Sequence, residues 1–315
     1  MAIEHNNATQ RITIEWLRRS SLTGNELLLE ALLRRGFLVF RDEDGVWLAK
    51  GSHPLDLEVL SLVAGLEVEP VHGHERRMAR VKVQSPRMRT MDIAIQIATL
   101  PSAAGHFLAG HTSNEWDRYR NMVWGAKVPA CHIDELYESP GGQDLIWLSD
   151  SHCSGTPDMG VTLLVKAFPL GRILTTYSCD GHGSLPALIC FGYIWCGYWA
   201  EAVFDTLEMA TPNSKWDWDK SSLKIEPIGG YGDAQILNMF NDIQYFARRL
   251  MEQSTIDMIG RARIKTLQAI GDHLPTSERF VEEARRQLAA EFAAHSSRTI
   301  PSSAPTRPCC LAGQG

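Results

Sequence analysis

Long apolar runs are missing from this chain. A membrane-crossing helix needs about 18–20 consecutive apolar residues, and the longest apolar stretch, residues 186–196, is broken by Gly192. Residues 1–10 are polar and lack the apolar core of a secretory signal. A cytoplasmic location with no membrane partner is therefore expected. Cysteine is sparse: seven in 315 residues, an odd number without the dense spacing of a disulfide-stapled fold, so the thiols are read as reduced. Positive charge is not in excess either. With a formal net charge of -6, nucleic-acid contact would need a local basic patch. P-loop, dinucleotide-binding glycine, Gly-x-Ser-x-Gly and His-Glu-x-x-His patterns are absent, which takes support from several large enzyme classes. No internal repeat is evident.

What is present suffices for a core. At 315 residues and 44 % hydrophobic content the chain can form two packed units or one elaborated domain. Thr23 is placed to cap a helix, with Glu26 reaching back, Leu22 and Leu27 as a staple and Gly36 as the closing residue. Residues 37–40 and 46–49 read as a hairpin closed at Asp44-Gly45. A helix with a β-wing could open a winged-helix DNA reader, but it opens many α+β domains as well. Ile93, Ile95 and Ile97 alternate as a half-buried strand would.

Pro140-Gly141-Gly142 marks a break. Beyond it come an apolar segment at 162–168, β-runs at 172–177 and 187–191, a helix at about 199–209 and a β-stretch within 216–228. Asp233 can cap a helix whose apolar stripe is Ile236, Met239, Phe240, Ile243, Phe246, Ala247 and Leu250. A last helix covers about 278–292. This order favours an α+β fold, a small mixed or antiparallel sheet with helices packed on one face, joined to a less regular N-terminal α+β part. The expected divisions are 1–142, 143–295 and a disordered tail at 296–315, rich in Ser, Pro, Thr, Ala and Gly.

Residues 72–89 hold Arg76, Arg77, Arg80, Lys82, Arg87 and Arg89 against one acid, Glu75. They read either as the solvated face of a hairpin turned near Ser85-Pro86 or as a phosphate-binding patch for a ligand or nucleic acid. The stretch itself contains no aromatic residue on which a base could stack.

The chemistry concentrates in Thr175-Thr176-Tyr177-Ser178-Cys179-Asp180-Gly181-His182-Gly183. A thiol, a carboxylate and an imidazole share a turn between two strands. Cys179 and His182, at Cys-x-x-His spacing, could hold half of a zinc site, with His152 and Cys153 as the other pair. Alternatively Cys179 is a nucleophile beside His182, with Asp180 a third member. The third reading is a plain glycine-rich turn. His72 with His74, and His106 with His111, are weaker ligand pairs. Trp195, Trp199, Trp216 and Trp218 line a pocket or pack in the core.

The pattern Thr-x-x-Ser-Cys-x-Gly-His-Gly resembles a motif of uncharacterised bacterial and phage proteins, over about residues 163–207. The resemblance implies a bacterial or mobile-element system and no particular activity. The same turn is similar to the Ser-Cys-Ser-Gly-Arg turn of the wybutosine-synthesis methyltransferase family of tRNA modification. His182 stands where that family has arginine, no S-adenosylmethionine site is traceable, and no activity carries over. The expected function is a ligand-binding or accessory protein. The alternative is an enzyme using Cys179 and His182, related to nucleic acid or nucleotides.

Overall fold

Gly36 closes the first expected helix as anticipated: it adopts φ 93°, and its N–H bonds back into the last turn. In the computed structural model, which describes residues 7–50, 52, 54–74, 76–84, 89–100, 159–173, 175–191, 194–270 and 277–299, this helix is α2 (Gly24–Arg35). Its N-terminus differs from expectation. The Thr23 side chain makes no capping bond, and the Glu26 carboxylate accepts from Arg41 instead. Before it lies α1 (Asn7–Arg19), a helix that the polar N-terminal sequence conceals.

The chain forms an α+β fold in which one order of elements occurs twice. After α2 come β1 (Val39–Asp42), β2 (Gly45–Ala49), α3 (Pro54–Ser61), β3 (Leu66–Pro70), β4 (Arg77–Val83) and α4 (Thr90–Thr99). The second series is α5 (Met159–Ala167), β5 (Thr175–Cys179), β6 (Ala187–Phe191), α6 (Ile194–Thr206), β7 (Ser214–Asp219), β8 (Ser222–Pro227) and α7 (Asp233–Met251). Two further helices, α8 (Gln253–Ile270) and α9 (Ser277–Thr299), follow. Both sheets are antiparallel and four-stranded, ordered β1-β2-β4-β3 and β5-β6-β8-β7. Each is a pair of hairpins joined through a helix, so the repetition is one of topology that the sequence does not display.

Several expectations are corrected. Residues 90–99 are helical, not a strand: Ile93, Ala94, Ile97 and Ala98 are the buried set, an i, i+1, i+4, i+5 pattern that a helix places on one face. The first hairpin turns at Glu43-Asp44, with Gly45 already paired to Asp42. The basic strand β4 forms its hairpin with the preceding β3, which closes between Pro70 and Arg77, and the expected turn residues Ser85 and Pro86 lie outside the described residues. Residues 216–228 hold two strands, β7 and β8, joined at Lys220-Ser221. Gly232, not Asp233, is the N-cap of α7, and Asp233 instead takes Arg11 at 2.7 and 2.9 Å. The last helix runs on to Thr299. The boundary at 142 and residues 300–315 of the tail lie outside the described residues.

The second sheet buries one face. Ala187, Ile189, Leu223 and Ile225 point into the core, and Phe204 of α6 and Phe246 of α7 close over Trp216 at 4.9 and 5.8 Å between ring centroids. Trp199 is fully buried and donates to the Gly171 carbonyl at 2.8 Å. Trp199, Trp216 and Trp218 are thus packing residues, and the Trp195 side chain lies outside the described residues. Buried residues of both sheets join in one continuous cluster. Among the described residues no helix is long and apolar enough to cross a membrane.

Candidate functional site

β5 is an edge strand, and its register decides what faces solvent. Ser178 lies opposite Ile189 and is buried, whereas Cys179 lies opposite Leu188, whose other neighbour is the exposed Lys224. Side chains alternate along a strand. Cys179 therefore stands on the outer face, half-buried, at the point where the strand ends.

The chain then turns through three successive positive φ angles: Gly181 at 77°, His182 at 50° and Gly183 at 79°. The N–H groups of Ser184 and Leu185 both donate to the Gly181 carbonyl at 3.0 Å, tying the turn together. Histidine in the left-handed region costs roughly 1–2 kcal/mol, and such strain gathers where a side chain must be aimed. Here it aims the imidazole. Nε2 lies 3.5 Å from the Cys179 Sγ, while Nδ1 lies 3.5 Å from the Asp180 Oδ1. The Gly181 N–H also approaches Sγ, at 3.4 Å.

Asp180 anchors the group. It is buried, its Oδ1 accepts the His182 N–H at 2.9 Å, and its Oδ2 accepts the Thr9 hydroxyl at 2.7 Å and the Gly160 N–H at 3.3 Å. Gly160 is the second residue of α5, so a carboxylate from a distant turn meets one of that helix's free N-terminal donors. The Gly160 N–H comes this close because it has no Cβ, which would run into the Phe240 ring.

Gly181 is constrained twice over. A Cβ there would meet the Pro186 carbonyl oxygen at 2.9 Å, and the φ is positive. Gly181→Ala should destabilise the protein by about 2 kcal/mol, combining left-handed strain with backbone crowding. At Gly183 a Cβ would meet only side-chain carbons, Ala8 at 3.3 Å and Ile236 at 3.5 Å, so Gly183→Ala should cost about 1 kcal/mol. Urea midpoints measure both, and equal stability of Gly181→Ala and wild type would refute the strain argument.

Two ligands of a tetrahedral zinc, with Zn–S near 2.3 Å and Zn–N near 2.0 Å, stand about 3.5 Å apart. The Cys179 to His182 separation matches that as well as it matches a thiol–imidazole contact. Among the described residues no group of three or more His, Cys, Asp or Glu is arranged to hold a metal. His152 and Cys153, expected to complete such a site, lie outside the described residues, as do His106 and His111.

Two cations of the basic stretch are engaged by nearby acids. Arg77 bonds Asp42 at 2.6 Å and Asp44 at 3.0 Å, and Lys82 bonds Glu69 at 2.6 Å and Glu67 at 3.1 Å. Those hydrogen bonds, Glu69 foremost, raise the Lys82 pKa above its ordinary value. Arg80 donates to the Asp44 carbonyl, Arg89 is the exposed N-cap of α4, and Arg87 lies outside the described residues. Aromatic partners absent from the stretch come from the first hairpin: Arg76 lies over Phe40 of β1, and Arg77 over Trp47 of β2 at 4.2 Å. His74 accepts the N–H groups of Arg76 and Arg77 through Nδ1, a turn-capping role.

Two site residues escaped the sequence reading, Thr9 and Gly160. Neither carries a local signal, since the Thr9 to Asp180 bond spans 171 positions. Comparison with protein-family models, curated proteins and solved structures finds no match to this chain.

Proposed function

We propose that the turn is a nucleophilic thiol centre in which Cys179 attacks, His182 carries the proton and Asp180 orients the imidazole. The chain of contacts from Asp180 through His182 to Cys179, held in a strained left-handed turn on an edge strand, supports this reading above a purely structural or accessory role. The reaction class it suits is acyl transfer. The thiol proton passes to Nε2 as an Sγ–C bond forms at a carbonyl carbon. The leaving group departs with that proton, and water, deprotonated by His182, then cleaves the thioester.

Alkylation tests it. In the full-length protein, iodoacetamide should modify Cys179 about tenfold or more faster than in His182→Ala, because the imidazole takes the thiol proton as the S–C bond displaces iodide. Equal rates would overturn the reading. The sulfur–nitrogen distance favours one second reading, a zinc ligand pair completed by His152 and Cys153. Stoichiometric zinc in the purified protein, lost in Cys179→Ser, would establish that reading in place of the first.

A further inference from the structure

The geometry points to Thr9, on the first turn of α1, as a positioning residue for Cys179, an inference that rests on the nucleophilic reading of the turn. A carboxylate's terminal torsion is broad and two-fold, so an aspartate with one bonded oxygen can swing. Asp180 is held at both oxygens. Thr9 and Gly160 pin Oδ2 at 2.7 and 3.3 Å, and this fixes the plane in which Oδ1 meets the His182 N–H at 2.9 Å and faces Nδ1 at 3.5 Å. Of the bonds to Oδ2 among the described residues, the shorter comes from Thr9, whose side chain is buried.

Thr9 can hold Asp180 because α1 is itself fixed. Ile12 and Leu17 are buried in the core, Gln10 donates to the Ala98 carbonyl, and Arg11 forms a two-pronged pair with Asp233 at the start of α7. Ala8 packs beside Gly183, so the helix borders the turn on a second side. Orientation of a catalytic imidazole by a buried carboxylate is worth large factors in reactivity, and the group that sets the carboxylate's plane shares in that effect.

The test compares Thr9→Val, Thr9→Ala and Thr9→Ser in the full chain. Readouts are the iodoacetamide rates of Cys179, half-buried Cys190 and fully buried Cys196, resolved by peptide mass spectrometry across pH 6 to 9. Loss of the hydroxyl in Thr9→Val should slow Cys179 by about tenfold and flatten its pH profile toward that of His182→Ala. Thr9→Ser should restore the rate to within about twofold, and Cys196 should stay protected throughout. Thr9→Ala, which cannot overpack the site, carries the same expectation should the valine variant not fold. Wild-type rates in both hydroxyl-free variants would overturn the role of Thr9 while leaving the nucleophile intact. Parallel gains at Cys179 and Cys196 would overturn it too, by showing general loosening. Equal Cys179 rates in wild type and His182→Ala would instead defeat the nucleophilic reading itself.

Discussion

Asp56→Ala is expected to cost about 3–5 kcal/mol of folding stability, the range for removing one member of a buried ion pair. Asp56 on α3 is fully buried and accepts from the Lys166 ammonium of α5 at 2.9 Å. Arg35 lies close enough to feel the same carboxylate, and its guanidinium donates to the Leu100 carbonyl at 2.6 Å. Burial, partly offset by Asp56, pushes Arg35 down to about 10 and lowers Lys166 as well. Two buried cations thus draw compensation from this carboxylate. Because the native Lys166 pKa lies below its unfolded value, the unfolded chain binds more protons between the two, and stability rises with pH there. Removing Asp56 lowers the native value further, so the loss should be greatest near neutral pH and should shrink toward alkaline pH. Guanidinium titrations at several pH values read this directly. Asp56→Ala combined with Lys166→Met should recover much of the loss. A single-variant cost under about 1 kcal/mol would contradict the account.

Asp180→Ala should be nearly as damaging, and for a different reason. It strips acceptors from the Thr9 hydroxyl and from the Gly160 and His182 N–H groups together. At about 1–3 kcal/mol for each donor left unpaired the three sum to roughly 3–9 kcal/mol, and the lower part of that range, roughly 3–5, is expected because the His182 N–H is only partly buried. Asn does not rescue it fully. Either orientation of the amide turns an NH2 toward a backbone N–H, at Oδ1 or at Oδ2, although the Thr9 hydroxyl can rotate to accept. Asp180→Asn should therefore fall between wild type and alanine in melting temperature and should slow Cys179 alkylation. An asparagine variant indistinguishable from wild type in both measurements would remove Asp180 from the site.

The legible parts of the fold were the local ones. The α2 helix announced itself by Gly36 and the β1-β2 hairpin by its Asp-Gly pair, because helix ends and tight turns depend on residues close in sequence. The α7 stripe is legible residue by residue. α1 was missed because its buried face is built from Thr9, Ile12, Thr13 and Leu17, half of it polar. α4 reads as a strand because its three isoleucines alternate, although only Ile93 and Ile97 lie on the helix's buried face, and the small Ala94 and Ala98 that complete that face carry little hydropathy weight. α8 buries Arg263 within its apolar stripe, the guanidinium lying 5.2 Å over the Trp199 ring. A charged residue in that place hides the pattern. At the site, Cys179, Asp180 and His182 were legible as a cluster, since they lie within four residues of one another. Their handedness was partly so, through the glycines. The supports from Thr9 and Gly160 were not, because tertiary packing alone brings them there.

The bond between Thr9 and Asp180 also bears on the order in which the molecule can acquire its reactivity. Each sheet is made of hairpins that close over a few residues, but this bond closes a loop of 171 positions. Contacts that distant are made late, after shorter loops have offset their closure entropy. Cys179 and His182 can meet as soon as β5 and β6 pair, yet the carboxylate that aligns them is locked only when the first helix docks on the last sheet. On the proposed nucleophilic reading, a partly folded chain, including one still emerging from the ribosome, would carry an ordinary thiol, and the activated one would arise only with completion of the fold.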